Sequence, residues 1–402
     1  MLKFLPKPVW IVGAARTPVG SFLGSLATKP AFELGAISIS NAIRRALLDP
    51  DEIQGAVVGQ ALLAGCGQAS ARQATLAANL PYSVDVFNVN KVCASGMKSI
   101  TAAAQSIALG QMDVMVAAGM ESMSNVPFYI RKARDGGYRY GHGELTDGLL
   151  FDGLWDPYND LHMGQCTEHL AKEMGISREE QDAYAIQSYT RAAAAWSEGI
   201  FNDDVIPIEI TVKKKVTELH QQSQNVGKEE EIERLDLSKV PNMKPAFAKS
   251  GTLTAANSSS LNDGGAAVVL MSEAEAKKRN VKGLARILAF ADAAVAPIQF
   301  GIAPSLAVKK ALSLSGNPQV DIHECNEAFS AVVLANMRLL NLDHSNVNIL
   351  GGAVSIGHPI GMSGCRIVMS LINALNHRDS TIGCASICNG GGGATALILE
   401  RI

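Results

Sequence analysis

Cys93 stands in the stretch NKVCASGMK, residues 90–98, between an apolar run (Val84, Val86, Phe87, Val89) and a helix-like series of small and apolar residues (Met97, Ile100, Ala102, Ala103, Ala104). Three kinds of chemistry are open to a cysteine there. Packed in a core it is inert, the commonest state of a free cysteine. As a metal ligand it lacks a second Cys or His at ligand spacing. As a nucleophile it has two features in its favour. The unsatisfied N–H groups of a helix start lower a thiol's pKa, and a sharp strand-to-helix turn pushes a side chain into the open. Ala94, Ser95 and Gly96 are small enough to let a substrate approach.

Other stretches hold partners for such a thiol. In GHPIGMSG, 357–364, His358 precedes Pro359 and offers a neutral imidazole able to take a thiol proton. In CNGGGG, 388–393, Cys388 supplies a second thiol, and the glycines can expose backbone N–H groups to a developing oxyanion. The bland alternative is a flexible turn; no Lys-Ser or Lys-Thr follows, so it is no P-loop. NEAF, 326–329, offers Asn326 and Glu327, which are either structural hydrogen-bonders on a helix or, for Asn326, the holder of a water. GTLTAANSSSLNDGGAA, 251–267, reads as a tight loop or a ligand wall of small polar contacts ahead of a strand. His344 and His377 carry no comparable context.

The elements around these residues form a repeating scheme. Strands are expected at 9–13, 55–59, 84–90 and 113–118, and helices at 31–48, 68–79 and 94–109. Apolar runs alternating with helices indicate a parallel sheet covered on both faces. Residues 320–402 repeat the scheme: Cys93 is followed by Gly96-Met97, and His358 by Gly361-Met362. A duplicated half-domain puts Cys93 and His358 at equivalent corners, which a pseudo-two-fold would bring together. Residues 1–120 form one half, completed by a strand and helix returning near 251–275, and 276–402 form the other. Between them, 121–250 reads as an inserted loop domain with a helix pair near 165–198. Its charged stretch 213–236, with Lys213-Lys214-Lys215 and Glu229-Glu230-Glu231, reads as a solvated loop.

Composition narrows the function. The chain has 402 residues, 47% hydrophobic and 18% charged, with 37 glycines and 5% aromatics, so a large core is packed by small residues. A net charge of −3 without a basic stripe argues against nucleic-acid partners, and no apolar run is long enough for a membrane span. Seven dispersed cysteines without a CxxC pair suit free thiols in a reducing compartment. The first residues, MLKFLPKPVW, have neither signal-peptide nor transit-peptide character.

Together, VNKVCASGMKS, HMG (162–164), GTLTAANSSSLNDGGAA, NEAFS, GGAVSIGHPIGMSG and CNGGGG resemble the motifs of the thiolases, in family order, over residues 8–402. FLGSLATKP, GMESMSNVPF and FADAAVAPIQF are similar to the animal mitochondrial acetoacetyl-CoA branch of that family. The resemblance implies an α/β fold layered α-β-α-β-α in two halves with an inserted loop domain. It implies a reversible, ping-pong condensation of two acetyl-CoA to acetoacetyl-CoA and CoA, and cleavage of short 3-ketoacyl-CoA; Gly301, in place of a proline after Phe300, leaves 2-methyl-branched esters an open question. Cys93 resembles the acetylated nucleophile, His358 its activating base and Cys388 the acid/base at the second substrate. One oxyanion hole would use His358 and a water on Asn326, the other the N–H groups of Cys93 and Gly390. CoA contacts carry over to Tyr158, His162, Met163, Arg234, Leu235, Asp236, Lys239 and Ser259, with Phe300 limiting chain length. A potassium ion carries over to Tyr158, Ala255, Ala256, Ser258 and Val354, where Ser258 replaces an expected alanine. No covalent cofactor is implied.

His323-Glu324-Cys325 before NEAF, and Gly301 in place of a proline after Phe300, also depart from the family pattern. The resemblance further implies a homotetramer built as a dimer of dimers, and a mitochondrial matrix location with cytoplasm as the alternative. A broader 3-ketoacyl-CoA thiolase of fatty-acid oxidation is the second enzyme reading. A non-catalytic acyl-CoA-binding subunit is the third, disfavoured by intact Cys93, Asn326, His358 and Cys388.

Overall fold

The computed structural model describes residues 4–134, 136–212 and 222–402. Its main sheet is best followed outward from the middle, where Val9–Arg16 pairs antiparallel with Ala285–Ala294 over three residues only (Val9 opposite Ile287, Ile11 opposite Ala285). On one side the order is Val9–Arg16, Asn262–Ser272, Val114–Ser122, Gly55–Gly59, Asp85–Val89, with two antiparallel pairings followed by two parallel ones. On the other it is Ala285–Ala294, Gly393–Arg401, Ile382–Asn389, Ile322–Cys325, again antiparallel twice and then parallel. A parallel bridge from His323 to Val347 supplies the last position. The two halves thus share one topology. The parallel sheet expected from the alternation of strands and helices is a mixed one, because each half has a hairpin-like antiparallel edge at the join.

Alternating side chains make the layers. Ala266, Val268 and Leu270 face the space between the halves, while Ala267, Val269 and Met271 face outward under the helix Ala31–Arg45. In the second half Ala385, Ile387, Leu397 and Leu399 face inward, and Cys384, Ala396 and Ile398 outward under the helix Ala303–Ser315. A period of two on strands buried on both faces gives this result directly. The central layer holds the helices Ser95–Ala108 and Ile360–His377, whose Met97, Ile100, Ile107, Cys365, Val368 and Leu371 share one core. The layering is α-β-α-β-α.

These central helices belong to equivalent positions of the repeat and touch through glycine. A Cβ on Gly96 would sit 2.7 Å from the Cys365 nitrogen and 2.8 Å from the Gly361 carbonyl oxygen. Real Cβ contacts are not that short, so the approach requires glycine at this crossing. It brings the start of both helices, and the residues just before them, to one place.

Between the halves, residues 123–261 carry short hairpins and two helices, Met163–Glu173 and Arg178–Ser197. The second begins with a reciprocal cap: Ser177 Oγ accepts the Glu180 N–H and the Glu180 carboxylate accepts the Ser177 N–H. The acidic run expected to be solvated is an anchor instead. Glu229 is buried and takes the Arg16 guanidinium, Glu230 accepts the Ser21 N–H at 2.7 Å, and Glu231 accepts the Ser21 hydroxyl at 2.6 Å. A buried Arg16 at the end of the first strand needs that counter-charge. Lys213, Lys214 and Lys215 lie outside the described residues.

Candidate active site

The corner at Cys93 is a sharp one. Val92, the residue before it, holds φ +48°, a left-handed conformation that β-branched residues rarely adopt. Three local hydrogen bonds fix it. Asn90 Oδ1 accepts the Val92 N–H at 2.9 Å, Ser95 Oγ accepts the Lys91 N–H at 2.9 Å, and the same hydroxyl donates to the Val92 carbonyl at 2.6 Å. The chain turns from the strand Asp85–Val89 into the helix Ser95–Ala108 within these residues, and Cys93 faces a cavity.

His358 sits at the equivalent corner. Gly357 before it has φ +108°, and the His358 N–H is received by Asn262 Oδ1 at 2.7 Å. Asn262 Nδ2 donates in turn to the Gly20 carbonyl at 3.0 Å. His358 Nδ1 lies 2.6 Å from Ser363 Oγ, and Nε2 lies 3.4 Å from Asn326 Nδ2. Asn326 and Glu327 lie not on a helix, as expected, but in the link between the strand Ile322–Cys325 and the helix Ser330–Leu340. Glu327 is fully buried and accepts from Tyr184, Ser188, Asn348 and the Val354 N–H, all within 2.7–3.0 Å, which holds that link rigid.

Cys388 comes near the end of the strand Ile382–Asn389, just before the Gly390–Gly392 turn of a hairpin. The N–H groups of Gly390 and of Cys93 itself lie near the Cys93 sulfur and favour its thiolate. Cys93, Cys388, Gly390 and His358 therefore share one cavity, of about 380 Å³. Its remaining wall is largely apolar, with Met123, Leu154, Met163, Phe247, Phe300 and Phe329. Sequence reasoning named Met163 and Phe300 but not Phe247 or Phe329, which are drawn in by the stacking of His162 on Phe247 at 5.1 Å and an edge contact of Phe247 with Phe329 at 6.0 Å. Phe329 was inside a quoted motif; nothing local marked Phe247.

Burial decides the charge states. It pushes the Cys93 thiol up to about 12, against the pull of the two N–H groups, and the Cys388 thiol well above its usual value, with neighbouring Cys93 adding to the effect. Burial also pushes the His358 imidazole down to about 3, helped by the Arg366 cation. The lowered cysteine pKa expected from a helix start is thus outweighed by desolvation. At neutral pH the site rests as two thiols and a neutral imidazole, so charge separates only as a substrate oxygen becomes available to share it.

The other expected binding residues divide. His162, Met163, Ala255, Ser258, Ser259 and Phe300 line the cavity. His162 also caps the helix Met163–Glu173, its Nδ1 accepting the Gly164 N–H at 3.0 Å. Tyr158, 75% exposed, lies outside the cavity wall, as do Arg234, Leu235, Asp236 and Lys239. Arg234 pairs with Glu231 at 3.4 Å and Lys239 with Asp236 at 3.2 Å, both near the surface, while Leu235 packs against Ala185, Tyr189 and Val354. Ala256 and Val354 are buried away from the cavity wall.

Residues 9–274 match the thiolase N-terminal domain and residues 281–401 the thiolase C-terminal domain. The chain belongs to the thiolase family. It is 53% identical over 397 residues to the mitochondrial acetyl-CoA acetyltransferase of Bos taurus, covering 98% of this chain and 92% of that one. With the Homo sapiens mitochondrial acetyl-CoA acetyltransferase it shares 53% over 399 residues, covering 98% and 91%. Among solved structures, a thiolase from Ascaris suum in complex with coenzyme A superimposes with a TM-score of 0.91 at 43% identity, covering 98% of this chain and 100% of that one. An acetyl-CoA acetyltransferase from Bacillus anthracis gives 0.94 at 37% identity, covering 99% and 100%.

Proposed function

We propose that this protein is an acetyl-CoA C-acetyltransferase, condensing two acetyl-CoA to acetoacetyl-CoA and CoA and running the reverse cleavage on short 3-ketoacyl-CoA. The observation that carries the reading is the meeting of Cys93, His358, Cys388 and Gly390 at one largely apolar cavity.

In the first half-reaction His358 Nε2 takes the Cys93 proton as the sulfur attacks the thioester carbonyl. The Cys93–acetyl bond forms, the acetyl–CoA bond breaks, and Cys388 gives its proton to the departing CoA sulfur. In the second, the Cys388 thiolate removes a methyl proton from another acetyl-CoA. The carbanion attacks acetyl-Cys93, and the sulfur leaves with the proton held by His358. Each thioester oxygen becomes negative in turn. The Cys93 and Gly390 N–H groups are suited to one of them, and His358 with a water on Asn326 to the other. Sharing one nucleophile between the halves gives ping-pong kinetics.

His162, Met163 and Ser259 would hold the pantetheine end, and Tyr158, Arg234, Leu235, Asp236 and Lys239 the nucleotide end, beyond the cavity mouth. An oxygen-only set at Tyr158, Ala255, Ala256, Ser258 and Val354 suits a potassium ion, which would order this loop; the Ser258 hydroxyl, buried and without a hydrogen-bond partner among the described residues, fits that use. A homotetramer in the mitochondrial matrix is the matching assembly and place. Supporting an assembly, the edge strand Asp85–Val89 leaves Phe87 half exposed, and Phe128, Ile130, Tyr140 and Leu145 of the inserted region are exposed.

The test is CoA-dependent cleavage of acetoacetyl-CoA, 2-methylacetoacetyl-CoA and a six-carbon 3-ketoacyl-CoA, with Cys93→Ala alongside. Fast cleavage of the four-carbon ester, absent in the variant, is expected. Equal rates on the longer ester would move the reading to a broad 3-ketoacyl-CoA thiolase. No cleavage by folded protein would leave an acyl-CoA-binding subunit.

A further inference from the structure

Directly behind His358 lies a buried charged pair that the reaction as described leaves unused. Arg366, on the helix Ile360–His377, and Glu324, on the strand Ile322–Cys325, are both inaccessible to solvent. Arg366 Nη1 stands 4.0 Å from Glu324 Oε1, too far for a tight ion pair. Among the described residues neither Glu324 oxygen has a hydrogen-bond partner, and neither has Arg366 Nε. The guanidinium reaches elsewhere: Nη1 donates to Ser370 Oγ at 3.3 Å, and Nη2 points at Asn326 Oδ1 at 3.5 Å.

The polarity of these contacts is constrained at both ends. A guanidinium has donors only, so Asn326 must turn its oxygen toward Arg366 and its Nδ2 toward His358; the reversed amide would set donor against donor. An Nδ2–H facing Nε2 at 3.4 Å requires Nε2 to be the acceptor. At the far end, Ser363 Oγ stands 2.9 Å from the Pro359 carbonyl and 2.6 Å from Nδ1; with its proton on that carbonyl, its lone pair receives an Nδ1–H. Both ends fit the same tautomer.

We propose that Arg366 is a positioning residue that fixes the tautomer of His358. A one-way series of hydrogen bonds, from the guanidinium through Asn326, His358 and Ser363 to the Pro359 carbonyl, keeps Nε2 unprotonated, its lone pair held only by the long contact from Asn326 Nδ2 and open to the Cys93 proton. Glu324 offsets this buried cation only in part: burial pushes it up to about 8 while Arg366 pulls it back toward the ionised form. The other charges that bear on Arg366 are Arg16, Glu327 and Glu229. Glu327 and Arg191 are the other charges facing Glu324.

The inference rests on the reading of His358 as a base, but its test does not. Full-length protein labelled with 15N-histidine reports, through two-bond 15N–1H correlations, which ring nitrogen carries the proton. His358→Gln identifies the signal among the eight histidines. The wild type is expected to show His358 as Nδ1–H. Arg366→Lys keeps a donor-only cation and should keep that state. Arg366→Gln, which can accept as well as donate, should lose it, with kcat falling ~10- to 100-fold and KM for acetyl-CoA moving less than about twofold. Glu324→Gln should lower the melting temperature yet leave Nδ1–H in place, separating packing from polarity. If Arg366→Gln does not fold, Asn326→Asp sets an acceptor against Nε2 and should reverse the tautomer. An Nε2–H wild type, or an Nδ1–H signal unchanged by both Arg366→Gln and Asn326→Asp, overturns the proposal. A wild type without thiolase activity but with the expected tautomer shifts would sink the functional reading alone.

Discussion

Glu121 Oε2 accepts the Gly361 N–H at 3.0 Å, and the same carboxylate takes the N–H groups of Ala61 at 3.0 Å and Leu62 at 3.3 Å. Glu121 lies in the strand that follows the Cys93 helix; Gly361 opens the helix that follows His358. One buried side chain thus ties the start of the His358 helix to the chain just after the strand Gly55–Gly59 in the other half. Removing it by Glu121→Ala leaves three buried donors without partners, each costing about 1–3 kcal/mol. Urea unfolding should show a large loss of stability, and kcat should fall because the start of the His358 helix loses its tie to the other half. Glu121→Gln keeps an acceptor oxygen and should be much milder; equal behaviour of the two variants would remove the tie from the account.

The two thiols should separate by half-reaction. Cys93→Ala has no nucleophile and should neither release CoA from acetyl-CoA nor turn over. Cys388→Ala keeps Cys93 and His358. Rapid-quench assay with acetyl-CoA should give acetylated enzyme with slowed CoA release, while condensation drops ~10²- to 10⁴-fold, the usual scale for losing one acid–base group. A Cys388→Ala enzyme that condenses at near the wild-type rate would mean that another group moves the methyl proton.

Much of the site was legible because it is made of short local motifs. The pairing of Cys93-x-x-Gly96-Met97 with His358-x-x-Gly361-Met362 pointed to two equivalent corners, and the matching strand orders bear the duplication out. What local reading missed is long-range. Cys93's pKa depends on how deep the corner lies, so a helix start suggested a low value where burial gives a high one. Glu229 looked like part of a solvated run because its partner, Arg16, is 213 residues away. Arg366 sits on a helix that carries no other Arg, Lys, Asp or Glu, and its relation to Asn326 exists only once the strand Ile322–Cys325 and that helix are packed together.

Histidines buried in the neutral form should make the fold acid-sensitive. Burial pushes His323 down to about 4 and His358 to about 3. In the unfolded chain both take a proton near their ordinary value of about 6.5. Between those limits the unfolded state binds more protons, so stability present above about pH 6.5 is lost as pH falls toward 4 and below. His323→Gln removes one titrating group that lies outside the cavity wall. Its unfolding free energy, followed by urea titration from about pH 7 to about pH 4.5, should fall less steeply than the wild type's, by up to about one proton's worth of slope. An unchanged slope would show that His323 is not held neutral.

Phe300 should set the length of the acyl chain. It is buried in the cavity wall, packed in the cluster of Met163, Leu253, Ala328 and Phe329. A hydrophobic pocket discriminates by about 1–3 kcal/mol per methylene, so a closed end rejects a six-carbon ester only if something as large as this ring fills the space. Phe300→Ala opens that space at a stability cost of about 3–5 kcal/mol, and Phe300→Leu opens less of it at lower cost. The ratio of kcat/KM for the six-carbon to the four-carbon 3-ketoacyl-CoA should rise ~10-fold or more in Phe300→Ala and by less in Phe300→Leu. A ratio that stays fixed in both folded variants would place the length limit on another part of the wall, with Leu150, Leu154 and Ile360 the next side chains to shorten.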